Sequence, residues 1–191
     1  IARRQRQMCI RDSNEGVDNT HNPEFMMLEA YEAYGSYDTM AELTRAIVVN
    51  AARAVGKTVV PARDGGTIDL EAPWRRATIH ELVAETTGTE VTPTTSYEDL
   101  VTIADRHDVT LQDHWGAGEV LLELFEKLVE HTLIQPTFVC DYPPAAQPLA
   151  RPHREKPGVI EAWDLIIGGM ERGTAFSELI DPVIQRERLT C

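Results

Sequence analysis

Residues 38–135 set a block of helical periodicity between two stretches that read as strands, which restricts the chain to folds whose sheet joins strands distant in sequence. Met40, Leu43, Ile47, Val48 and Ala51 recur at helical spacing behind an Asp38 cap, and the helix ends near Gly56. Residues 58–61 and 67–70 are short β-prone runs around Asp64-Gly65-Gly66, a hairpin signal. Three helices follow. Thr78-Ile79-His80-Glu81 is a capping box opening the first, Ser96-Tyr97-Glu98-Asp99 opens the second, and residues 118–133 form the longest of the three. Residues 136–141 return to strand and lead into the turn Tyr142-Pro143-Pro144. Residues 162–167 read as another strand, 148–158 as a loop rich in breakers, and Asp181-Pro182 as the start of a last helix.

The run from His21 to Tyr31 has two chemically different faces if it alternates as a strand does. Met26, Leu28 and Ala30 point one way as core, while Phe25, Met27, Glu29 and Tyr31 point the other. A carboxylate between an aromatic ring and a phenol packs poorly but cradles a cation, so Glu29 calls for a positive partner.

Bulk properties exclude several functions. Lys and Arg total 18 against 31 Asp and Glu in 191 residues, a formal net charge of −13, and no basic stripe exists to attract a phosphate backbone. Cys9, Cys140 and Cys191 never form a Cys-x-x-Cys pair, which points to reduced thiols and a cytoplasmic setting rather than to disulfides or structural zinc. No apolar run approaches the roughly 20 residues that span a bilayer, so no membrane partner is expected. Residues 1–13 fit neither period and are expected to be a non-native or artefactual segment. Both ends read as cut, leaving 14–191 as one partial domain with its helical insertion at about 38–135.

Glu171 and Glu178 lie seven apart after the apolar run Leu165-Ile166-Ile167, and two carboxylates near a strand end suit Mg²⁺. Spacing alone also allows a pair of solvated glutamates. His21 can contact a phosphate or cap the turn beside Pro23, and Phe25 can serve as core or stack on a base. His107, His114 and His131 lack the i, i+4 pairing of a zinc helix and are expected at the surface. Walker, Gly-x-Gly-x-x-Gly and Gly-x-Ser-x-Gly motifs are missing from the sequence, so nucleotide binding requires another fold.

Asn14-Glu15-Gly16, His21-Asn22-Pro23-Glu24-Phe25, Leu28-Glu29, Tyr31, Ala33-Tyr34 and Tyr37 together resemble motif 2 of the class II lysyl-tRNA synthetases. Tyr142-Pro143, Pro148-Leu149-Ala150, Gly168-Gly169-Met170-Glu171, Phe176-Ser177-Glu178-Leu179 and Asp181-Pro182 resemble the later active-site strands of that family, in order. Pro157-Gly158-Val159 and the run Gln185-Arg186-Glu187-Arg188 are similar to actinobacterial forms. The resemblance implies an α+β fold: a class II antiparallel sheet flanked by helices, with a helical insertion. It also implies lysine, ATP and tRNA(Lys) as partners, formation of lysyl-adenylate, transfer of lysine to the tRNA, and a homodimer in the intact enzyme. By the same resemblance, Glu29 and Tyr31 would hold the lysine ammonium, Phe25 would stack on adenine, Glu15 and His21 would contact ATP, and Glu171 and Glu178 would hold Mg²⁺.

The family carries Phe-Arg directly before Asn-Glu-Gly, where this chain has Asp12-Ser13, and Asn after Ser-Glu-Leu, where it has Ile180. Motif 1, motif 3 and the anticodon-binding barrel lie outside the sequence. The chain is therefore expected to be inactive alone. Rival readings are a stand-alone ligase that places lysine on a protein, and a non-catalytic module that binds lysine or ATP.

Overall fold

The computed structural model describes residues 25–190. The chain divides into two units, Ile1–Ala33 and Tyr34–Cys191. In the first, residues 25–33 have no helix or strand, and Met26 (98 % exposed) and Leu28 (75 % exposed) form no core face. This corrects the strand expected over 21–31, of which 21–24 lie outside the described residues. Alternation gives a run two faces, but a strand exists only through ladder partners, and every strand among the described residues belongs to the second unit.

The second unit begins with α1 (Tyr37–Ala54), whose N-cap is Ser36 rather than the expected Asp38. The Ser36 N–H donates to the Thr39 hydroxyl at 3.1 Å, leaving Asp38 in the first turn to pair with Arg76. The hairpin β1 (Val59–Pro61) and β2 (Thr67–Asp69) forms around Asp64-Gly65-Gly66 as expected, with Val60 opposite Ile68. β3 (Arg75–Thr78) runs into α2 (Ile79–Thr87). At that junction the Glu81 N–H donates to Thr78 Oγ1 at 3.1 Å and the Thr78 N–H to Glu81 Oε2 at 2.8 Å. α3 (Tyr97–Arg106), capped by Ser96, and α4 (Ala117–Leu128) follow, and a 3₁₀ turn (Glu130–Thr132) closes the block. His107, His114 and His131 are exposed, as expected.

β4 (Thr137–Cys140), β5 (Ala162–Ile166) and β6 (Glu171–Phe176) complete a four-stranded sheet of order β3-β4-β5-β6, and α5 (Pro182–Thr190) ends the described chain. The β4–β5 and β5–β6 pairs are antiparallel as expected, but β3 joins β4 in parallel. The chain crosses over through α2–α4 between those strands, and a crossover of that length is what parallel pairing requires.

Helices cover both faces of this sheet. Ile79, Leu82, Val83, Val120, Leu124 and Phe125 pack with Val139, Ala162 and Ile166 on one face. Tyr37 and Ala41 of α1 pack with Phe138, Cys140, Trp163 and Leu165 on the other. Period-two alternation along β5 fixes the consequence: Trp163 and Leu165 face α1, so Ala162, Asp164 and Ile166 face the helical block.

Candidate functional site

That alternation puts a carboxylate in the interior. Asp164 pairs with Thr174, and Ile166 with Glu171, across the β5–β6 ladder, so Thr174 and Glu171 share the face of Asp164. Opposite them, the end of α4 supplies Glu126 and the 3₁₀ turn supplies Glu130, while Tyr142 enters from the segment after β4. Together these side chains line a cavity of about 280 Å³ between the sheet and the helical block.

Four of the lining residues are acidic, and among the described residues no lysine or arginine lines the cavity. The titration shifts reflect this. Burial raises the pKa of Asp164, opposed by hydrogen bonds from the Thr174 and Tyr142 hydroxyls. Glu171 is raised by burial and then by the charges of Asp164 and Glu130. Glu130 is raised by burial and then by Glu126, and the backbone N–H of Glu171 acts in the opposite sense. The Tyr142 phenol is held well above its ordinary value by burial and then by Asp164. Every shift disfavours negative charge, so a cation entering the cavity relieves all of them together.

A second cavity of about 520 Å³ opens on the α1 face, and three ion pairs line it, with Glu161 Oε2 left buried and without a hydrogen-bond partner among the described residues. Lys156 Nζ meets Asp141 Oδ2 at 2.6 Å, Arg76 meets Asp38, and Arg154 Nε meets Glu161 Oε1 at 3.1 Å. The Tyr37 hydroxyl donates to Asp141 Oδ1 at 3.1 Å, and His153 Nε2 lies 3.2 Å from the same hydroxyl. This network fastens the 148–158 loop to the sheet and to α1, whereas no lysine or arginine among the described residues lines the smaller cavity.

Of the residues singled out from sequence, Glu29 and Tyr31 come together: the Tyr31 hydroxyl donates to Glu29 Oε2 at 3.5 Å, and both side chains are exposed. Phe25 is 70 % exposed. Glu15 and His21 lie outside the described residues. Glu171 opens β6 on the rim of the acidic cavity, while Glu178 lies beyond the other end of that strand, where its backbone bridges to Ala150. Seven extended residues span roughly 20 Å, so the two carboxylates do not meet at one point.

Asp164 and Glu130 are not among the residues singled out from sequence, and Tyr142 enters there only within the Tyr142-Pro143 motif. Asp164 carries a readable signal, since it is a lone carboxylate in the otherwise apolar run Ala162-Trp163-Asp164-Leu165-Ile166. Glu130 carries none, because it reaches the cavity only through the fold.

A divalent metal fits the donor set on one condition. Among the described residues no three acidic, imidazole or thiol groups converge on one ion. The protein would therefore contribute one or two carboxylates, with water or phosphate oxygens completing the shell, as Mg²⁺ prefers.

The family model "tRNA synthetases class II (D, K and N)" matches residues 7–191. The lysine–tRNA ligase of Kineococcus radiotolerans is 46% identical over 92% of this chain and 35% of its own length. That of Synechococcus sp. (strain CC9605) is 49% identical over 92% of this chain and 35% of its own length. The lysylphosphatidylglycerol biosynthesis bifunctional protein LysX of Nocardia farcinica is 46% identical over 93% of this chain and 16% of its own length. The chain thus spans about a third of the ligases and about a sixth of the LysX protein. No helix among the described residues is long and apolar enough to cross a membrane.

Proposed function

Because this chain belongs to the class II tRNA synthetases (D, K and N), we propose that it is part of a cytoplasmic catalytic domain that activates lysine with ATP and passes it to tRNA(Lys). The acidic cavity between β5–β6 and the helical block carries this reading, because among the described residues four acidic side chains and no lysine or arginine line it, a setting that suits a divalent cation.

Glu29 and Tyr31 bind the lysine ammonium, an uncharged side chain there leaving Glu29 unpaired. Phe25 stacks on adenine, and Glu15 and His21 contact ATP. The lysine carboxylate oxygen attacks the α-phosphorus, a P–O bond forms as the bond to pyrophosphate breaks, and lysyl-adenylate results. Glu171 would hold one Mg²⁺ from the rim of the cavity with Asp164 beside it, and Glu178, beyond the other end of β6, would hold a second ion. When bound, the metal offsets charge on the phosphates and on the departing pyrophosphate. The intact protein acts as a homodimer.

The LysX relatives support a second reading, in which the same lysine-activating part belongs to a larger bifunctional protein. Both readings share the activation step.

Grafting residues 7–191 in place of the matching third of the Kineococcus ligase tests that step through lysine-dependent ATP–pyrophosphate exchange. The graft is expected to be inactive as it stands and to gain exchange when Ser13→Arg and Ile180→Asn supply the groups the family carries at those positions. A repaired graft that folds and exchanges no pyrophosphate contradicts the function.

A further inference from the structure

Glu171 joins its ladder where the ladder is irregular. The register shifts between Leu165 and Ile166, directly opposite the start of β6, so strand pairing alone does not fix where the Glu171 carboxylate stands. The turn before it is held from elsewhere. The Gly168 N–H donates to the Ile134 carbonyl at 2.9 Å and the Gly169 N–H to the Leu133 carbonyl at 3.0 Å, which seats the β5–β6 turn on the chain that leaves the helical block. The Ile167 N–H closes the turn on the Met170 carbonyl at 3.0 Å.

Gly168 and Gly169 both occupy left-handed backbone, at φ +67° and +69°, yet their surroundings differ. A Cβ on Gly169 would lie 2.8 Å from the His131 carbonyl oxygen and 3.1 Å from the His131 Cα, a backbone clash that no side-chain adjustment relieves. A Cβ on Gly168 would meet only Ile68 Cδ1, at 3.4 Å. The two positions share conformational strain, and only Gly169 makes a close approach.

We propose, on the functional reading above, that Gly169 is a positioning residue. Its contact with the His131 backbone locks the β5–β6 turn onto residues 131–134 and so holds Glu171 over the acidic cavity. One residue, Met170, separates the lock from Glu171, so lifting the turn carries Glu171 away from Asp164. The helical block thereby bears on the metal site through its backbone at residues 131–134.

The test compares Mn²⁺ uptake, followed by electron paramagnetic resonance, in the wild-type chain, Gly169→Ala and Gly168→Ala. Gly169→Ala is expected to weaken Mn²⁺ binding by about tenfold or more, the usual cost of disturbing the support of a metal ligand. Gly168→Ala, which suffers the same left-handed penalty, is expected to stay within about twofold of wild type. Equal affinity in all three overturns the positioning role alone; a wild type that takes up no Mn²⁺ overturns the metal reading and this inference with it. Should Gly169→Ala fail to fold, hydrogen exchange on the wild type decides. Mg²⁺ is expected to slow exchange of the Gly168 and Gly169 amides severalfold, by reciprocal coupling, and unchanged exchange overturns the proposal.

Discussion

Glu171 and Asp164 face the same cavity across the β5–β6 ladder, and the Glu171 carboxyl titrates above its ordinary range because burial, and then the Asp164 charge, disfavours ionisation. Both carboxyls are raised by folding, so between the unfolded pKa near 4 and the raised folded values the native chain binds more protons than the unfolded chain. Stability therefore falls as pH rises through that window and stays reduced at neutral pH. Asp164→Asn is expected to raise the melting temperature at pH 7 and to leave it nearly unchanged at pH 4, measured by thermal unfolding across that range. The gain should come with weaker Mn²⁺ binding, since the repulsion that destabilises the chain is what a cation relieves.

His80 titrates in the opposite sense. It is buried in the first turn of α2, and burial lowers its pKa, partly offset by Asp141 and Glu81. The unfolded chain takes up the proton first as pH drops below about 6.5, so this group costs stability on acidification and nothing above that value. Wild type is expected to lose melting temperature between pH 7 and pH 5.5, and His80→Leu to flatten that fall. An unchanged slope would show that other groups dominate acid sensitivity there.

The helical block shapes the cavity, so a core lesion in it should reach the site. Leu124 is 0 % exposed on α4, between the helices and the sheet. Leu124→Ala is expected to cost about 2–5 kcal/mol in denaturant unfolding. Leu28→Ala, in the exposed run before α1, is expected to change stability by less than about 0.5 kcal/mol. If Leu28→Ala costs as much as Leu124→Ala, residues 25–33 are packed in solution and the strand read from their alternation exists after all.

The loop over residues 148–158 is held in part by Lys156 against the buried Asp141 carboxylate. Lys156→Met keeps the aliphatic stem and removes the charge, leaving Asp141 with the Tyr37 hydroxyl. The expected cost is about 1–3 kcal/mol. Faster hydrogen exchange should be confined to residues 148–158, and Mn²⁺ binding in the other cavity should be unaffected.

Much of this architecture is legible in local chemistry. Thr78 with Glu81 and Ser96 with Asp99 announce helix starts, Asp64-Gly65-Gly66 announces a hairpin, and the apolar runs at 137–140 and 162–166 announce buried strands. β3 is not legible, because Arg75 and Arg76 have no strand pattern of their own; pairing with β4, helped by Glu85 against Arg75 and Asp38 against Arg76, makes them one. Residues 25–31 are the opposite case, where alternation is present and a ladder partner is not. In the candidate site, Glu171 is legible from its sequence context, but its neighbours Glu130 and Tyr142 come from segments that only the tertiary fold brings to it.

The most direct measurement is Mn²⁺ uptake by the wild-type chain against Glu171→Gln, followed by electron paramagnetic resonance at pH 7. Saturable uptake in the wild type that falls by about tenfold or more in Glu171→Gln is the predicted result. Equal uptake by the two chains, or none by either, would contradict a metal site at the acidic cavity.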